Sequence, residues 1–177
     1  REAMRLLVHH LKERGCENAA VLTIDPASTS SLGDRAEGFY KGLEETRMAC
    51  AGEWILPRRT GNMISSDPEP QYVSEIGKCL DSLEHLPDGM VCTEYAIARA
   101  LYAAAQTRGL EPGRDFRACC MDEDELATCG SYFTHMRQDE AGLAEKTTGI
   151  LLNLLDGVRV SRNDVRVPAI FKMGKTT

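Results

Sequence analysis

The chain has 177 residues, 42% of them hydrophobic, and a formal net charge of −6; this suits one domain of ordinary size with a sizeable core. No apolar run approaches the roughly 18 residues that span a bilayer, and no charged-then-apolar opening resembles a secretion signal, so no membrane partner is expected. The negative charge argues against this segment holding nucleic acid itself, because phosphate binding needs a clustered basic surface.

Taken in order, "REAMRLLVHHLKER" has helical period over 1–14 and ends near Gly15. Because Arg1 is not a methionine and the helical pattern is already under way, the expectation is that the chain begins inside a longer protein. "AAVLTI" (19–24) is a short apolar run of the buried-strand type, followed by a polar loop, "DPASTSSLGD". A helix is predicted over 34–48, a strand at "GEWIL", a long loop at "RRTGNMISSDPEP" and a helix at "QYVSEIGKCLDSLE". "DGMVCT" reads as a strand, "EYAIARALYAAAQTRG" as a helix closed by Gly109, and "DFRACCM" as a strand. "EDELATCGS" is a loop, "YFTHMR" a strand-like crossing, and "VRVPAIFKM" a final strand.

Helix and strand thus alternate nearly throughout, which implies right-handed βαβ units and a parallel sheet with helices on both faces. Ligands in such sheets bind beyond the carboxyl ends of the strands. The segments beginning at Asp25, Trp54, Thr93 and Asp122 are therefore the places to look.

The stretch before the last strand, "QDEAGLAEKTTGILLNLLDG" (138–157), reads as a helix capped by Asp139 and closed by Gly157. Leu143, Ala144, Thr147, Ile150, Leu151, Leu154 and Leu155 recur at helical spacing and form a wide apolar stripe. Little else in the chain looks ready to cover it.

Seven cysteines, an odd number, show no CxxC pair and no zinc-type cluster. Buried structural thiols and a reducing cytoplasm are expected, with Cys119 and Cys120 pointing to opposite faces of one strand. No nucleophile elbow, Walker loop, GxGxxG or HExxH is present, so no catalytic residue, metal or cofactor is assigned. His9 and His10 lie on a helix, His85 at a helix end and His135 on the crossing, where a lone histidine says little. Of the acids at 122–125, only Asp122 stands right at a strand end; the rest read as a solvated turn.

The ordered blocks "DRAEGFYKGLEE", "PDGMVCTEYAIARALYAAAQTRGLEPGRDFRACCMDEDELA", "FTHMRQDEAGLAEKTTGILLNLLDG" and "VRVPAIFKMGKTT" together resemble the effector-binding domain of the lactose/galactose-repressor family of bacterial transcription regulators. The resemblance covers essentially the whole chain. It implies a periplasmic-binding-protein-like type I fold, two α/β subdomains joined by three crossings, with a small effector, commonly a sugar, in the cleft between them. It also implies a homodimer that meets operator DNA only through a helix-turn-helix domain preceding this segment. On that plan 1–133 and 160–177 belong to the C-terminal subdomain, while 138–158 crosses into an N-terminal subdomain largely absent from this chain. The alternative is that this helix folds onto the present sheet.

Residue by residue, the resemblance makes Arg35 the arginine that bonds effector hydroxyls or a carboxylate, a task suited to the guanidinium fork. It makes Asp122 the strand-end acceptor for paired hydroxyls. Ser31 precedes Arg35 on the same helical approach, Trp54 stands where relatives place an aromatic ring against the ligand, and Gln138 stands at a crossing beside the cleft. Where the family has Asn-Asp at a strand end, this chain has Thr93 and Glu94. Thr93 keeps one hydrogen-bonding hydroxyl without the amide's two-sided contact, and Glu94 keeps a carboxylate at a helix start. The competing roles are surface pairing of Arg35 with Asp34 or Glu37, and a core position for Trp54.

Three functional classes follow: the sugar-sensing domain of a cytoplasmic transcription regulator, a solute-binding protein of a sugar ABC transporter, and, last, an unrelated doubly wound enzyme. The scattered thiols and the repressor-like ending favour the first.

Overall fold

A computed structural model describes residues 1–25, 27, 29–57, 69–122, 132–158 and 165–177. The stretch at 123–131 read as a loop, with Cys129 and the acids after Asp122, and residues 58–68 of the long loop expected over 58–70 lie outside the described residues.

The elements are α1 (Glu2–Glu13), β1 (Asn18–Ile24), α2 (Ser30–Thr46), β2 (Ala49–Leu56), α3 (Pro70–Asp81), β3 (Gly89–Cys92), α4 (Tyr95–Gln106), β4 (Arg117–Met121), β5 (Thr134–Arg137), α5 (Glu140–Leu155) and β6 (Ile170–Lys172). They form one described sheet in the order β2-β1-β3-β4-β5-β6. The first five strands run parallel, and β6 lies antiparallel to β5.

Two apolar layers clothe the sheet, and the pleat assigns residues to them by turns. Leu22, Met90, Ala118 and Cys120 face the α3 and α4 side, with Tyr72, Ile76, Ile97 and Leu101. Val21, Val91, Cys119 and Met121 face the α1 and α2 side, with Met4, Leu7, Leu11 and Phe39. Cys119 and Cys120 therefore part to opposite faces, as their adjacency in a strand requires. Burial raises the Cys119 thiol well above its ordinary value, through the missing solvation of a thiolate first and the neighbouring thiols second. Cys50, by contrast, is exposed on the sheet edge.

The helix predicted over 34–48 starts four residues earlier, at Ser30. Thr29 is extended at φ −148° and its hydroxyl accepts from Leu32 N, so part of the polar run read as a loop is a helix cap. Arg47, left-handed at φ 55°, ends the helix. The final strand, predicted over 165–173, is paired only over Ile170–Lys172. Pro168, which has no N–H for a ladder, stands just before it. His85 lies in the turn beyond α3 rather than in its last turn.

The tail after β6 closes the amino ends of β4 and β5. Ala118 N donates to Thr176 O at 2.9 Å, and Lys175 N donates to Tyr132 O at 2.8 Å. Thr176 is fully buried, and its hydroxyl donates to Ala118 O at 2.6 Å while accepting from Thr134 N at 3.0 Å. Gly113, at φ +94°, lets the tail pass, since a Cβ there would sit 2.5 Å from Lys175 O.

α5 is unlike the other helices. Asp139 caps it by accepting from Gly142 N, yet it carries no buried residue. Leu151, Leu152, Leu154 and Leu155 are 55–74% exposed.

Candidate functional site

The carboxyl ends of β1, β3 and β4 lie side by side in the sheet, and three of the residues singled out from the sequence meet there. Arg35 reaches over from the second turn of α2. Its Nη2 donates to Asp122 Oδ2 at 2.9 Å, and its Nη1 donates to the carbonyl oxygen of Thr93. The Arg35 side chain is 17% exposed and that of Asp122 36%, so the ion pair is open to a ligand on one side. The helix-surface alternative for Arg35 does not occur: Asp34 and Glu37 both pair with Arg1.

Asp122 follows β4 directly and has φ 65°, in the left-handed region. That conformation costs an ordinary L-residue about 1–2 kcal/mol, less for Asp, whose short side chain bonds locally. The turn is held because Asp122 N donates to Met136 O at 2.8 Å. From this left-handed position the carboxylate meets Arg35 Nη2.

Thr93 plays another part than its position suggested. It is fully buried, and its hydroxyl is turned inward, donating to Thr23 Oγ1 at 3.2 Å. What it sends toward the strand ends is its carbonyl. Thr23 is equally buried and donates onward to Ile24 O at 2.8 Å. Thr23 is the one polar residue in "AAVLTI", a signal that could have drawn notice in the sequence. Glu94 is the N-cap residue of α4 but makes no side-chain capping bond.

The other three candidates are not drawn into this cluster. Ser31 is exposed one turn before Arg35 and hydrogen-bonds Thr29 Oγ1 at 3.1 Å. Trp54 stands two residues inside β2, which runs on to Leu56, and its ring is partly buried against the α3 and α4 layer. Gln138 is exposed just after β5. His135 is buried on β5, its Nδ1 2.9 Å from Phe133 O.

A separate depression of about 220 Å³ lies between α1 and β6, lined by Leu6, His9, His10, Glu13, Met136 and Phe171. It holds none of the strand-end residues. The convergence of a guanidinium, a carboxylate and a carbonyl at adjoining strand ends is the stronger mark of a ligand site, because a fold of this kind offers ligands that edge. Among the described residues no group of three or more His, Cys, Asp or Glu side chains converges as a metal site would. No described helix is long and apolar enough to cross a membrane.

The sequence matches the periplasmic binding protein-like domain over residues 8–177. It is 28% identical over 148 residues to an HTH-type transcriptional repressor, PurR, of Actinobacillus pleuropneumoniae; the match takes in 83% of this chain and 41% of that protein. A dimeric Lac repressor with a C-terminal deletion has a similar structure, with a TM-score of 0.81, 24% identity, and coverage of 99% of this chain and 61% of the other. So does a LacI family transcriptional regulator from Enterococcus faecium with bound ribose, at a TM-score of 0.75, 17% identity, and coverage of 99% and 62%. The chain thus spans about two fifths of its curated relative.

Proposed function

We propose, for a chain that belongs to the periplasmic binding protein-like domain family, that it is the effector-sensing part of a bacterial DNA-binding transcription regulator and takes a small neutral polyol, a sugar or sugar derivative. The observation that carries this is the pair that Arg35 of α2 makes with Asp122 at the end of β4. A donor fork beside a double acceptor satisfies the donor and acceptor of two vicinal hydroxyls together. The mutual neutralisation of the two charges favours a neutral ligand over an anion. That the curated relative is a repressor by name supports a regulator over a transporter's binding protein, and over an enzyme.

In this reading the regulator works in the cytoplasm as a homodimer, and operator DNA is met by a part of the protein upstream of this segment. α5 and its exposed leucines belong against an N-terminal subdomain, and ligand binding closes the two subdomains on each other. A shift between open and closed populations then biases the DNA-binding parts. Ser31, Trp54 and Gln138 are left as flanking contacts that closure brings to the ligand.

The test is calorimetry on the full-length protein against a panel of mono- and disaccharides and their phosphates. Arg35→Ala and Asp122→Asn are each expected to weaken binding of whichever neutral sugar is taken by about 1–3 kcal/mol, the cost of leaving one buried polar partner unmatched. Binding that is unaltered in both variants sinks the site, and preference for a phosphorylated sugar sinks the neutral-ligand reading.

A further inference from the structure

We infer that Thr23, on the buried side of the site, is a positioning residue for Arg35, acting through Thr93. The chain of contacts is continuous. Thr23 Oγ1 donates to Ile24 O and accepts from Thr93 Oγ1, which fixes the rotamer of Thr93. Thr93 N donates to Leu22 O at 2.9 Å, which fixes the other end of the same residue. With its side chain and its amide both held, and with the next residue, Glu94, fixed as the N-cap of α4 by accepting from Ala98 N, the carbonyl of Thr93 is held from both sides, and Arg35 Nη1 is bonded to it. Thr23 and Thr93 are both fully buried, so water does not replace either hydroxyl's partner.

A partly exposed guanidinium with Asp122 as its sole partner would swing with that carboxylate. The Thr93 carbonyl gives it a second, rigid point, and a planar fork bound at both nitrogens has a single orientation. A binding group placed through a buried second layer in this way loses less freedom when the ligand arrives. The consequence for ligand binding rests on the site reading above, but the placement of Arg35 does not.

The experiment therefore uses no ligand. Full-length protein is treated with phenylglyoxal, a dicarbonyl that modifies free guanidinium groups, and the rates at individual arginines are followed by mass spectrometry. Arg108, held by Asp81 through two bonds of 2.7 and 2.6 Å, serves as the internal reference. Thr23→Val is expected to raise the rate at Arg35 roughly three- to tenfold, the factor that corresponds to losing one ordinary hydrogen bond, with Arg108 unchanged. Thr23→Ser, which restores the hydroxyl, is expected to return Arg35 to the parent rate. An unchanged Arg35 in Thr23→Val, or a Thr23→Ser that reacts as fast as Thr23→Val, overturns the inference. If Arg108 accelerates in step in Thr23→Val, the decision passes to Thr93→Val, read in the same way, and a uniform rise there overturns it too. The assay can fail while sugar binding stands, and it can succeed where sugar binding fails.

Discussion

Replacing Thr176 with valine tests whether the tail is structural mortar for β4 and β5. The substitution nearly keeps the side-chain volume at a fully buried position, so packing changes little. It deletes the donor to Ala118 O, at 2.6 Å, and the acceptor for Thr134 N, at 3.0 Å. Orphaning a buried polar group costs about 1–3 kcal/mol, and with partial relaxation the two together come to about 2–4 kcal/mol. That is a large share of the roughly 5–15 kcal/mol that holds an ordinary domain folded. Hydrogen exchange reads it locally: if Thr134 exchanges by opening of this joint, its amide should exchange some tens to hundreds of times faster, since each 1.4 kcal/mol is about tenfold. Thr176→Ser keeps the hydroxyl and should remain close to the parent. Exchange at Thr134 within a factor of about two of the parent in Thr176→Val, or an equal loss in Thr176→Ser, would refute the reasoning.

Two further outcomes are expected. His10 lies tilted against Phe171, with ring centroids 4.9 Å apart and planes inclined by 55°, and is bonded to Thr177 Oγ1; its pKa lies below the ordinary 6.5, through burial first and the Arg14 charge second. A histidine depressed in the folded state binds its proton more readily when unfolded, so its contribution is complete above about pH 6.5 and is lost as pH falls below that. Urea midpoints taken across this range should show the loss, and His10→Gln should flatten it; an unchanged slope in that variant removes His10 as the cause. Replacing Leu151, Leu154 and Leu155 with glutamine should leave residues 1–177 no less stable and less prone to self-association, because none of the three is buried here. In the full-length protein the same changes should cost about 1.5–3 kcal/mol per leucine that a neighbour covers, and thermal unfolding that is indifferent to them would argue that no neighbour covers α5.

What the sequence disclosed and what it withheld follow the range of the interactions concerned. β1 was legible because "AAVLTI" is apolar but for Thr23, and a strand buried on both faces needs such a run. Asp122 was legible as a strand-end residue and Arg35 through the family resemblance, and the fold does bring them into contact across 87 residues of chain. The start of α2 was misjudged because Ser and Thr serve loops and caps alike, and only the extended backbone of Thr29 decides which. Thr93 was placed correctly and its side chain given the wrong task, since the pairing with Thr23 spans 70 residues and leaves no local trace. The burial of Thr176 was likewise hidden, its partners lying 58 and 42 residues away. Family likeness read from the four blocks survived all of this, as the matched domain covers residues 8–177. Patterns of hydrophobicity carry the layers of the fold, while single hydrogen bonds between distant threonines carry the aim of a side chain.

The two holds on Arg35 differ in kind, and the difference suits the sensing role proposed above. Its contact with Asp122 faces outward, the carboxylate side chain being 36% and the guanidinium side chain 17% exposed, so water screens part of what that pair gains. On the proposed reading, ligand hydroxyls enter from that side, each taking over a bond that the partner gives up. The contact with the Thr93 carbonyl sits on the buried side, where the hydroxyl pair behind it is sealed from solvent. A ligand has nothing there to compete with. On the proposed reading Arg35 thus exchanges one partner while keeping its orientation, so less of the free energy of binding is spent on rebuilding the site and more remains to shift the balance between open and closed arrangements.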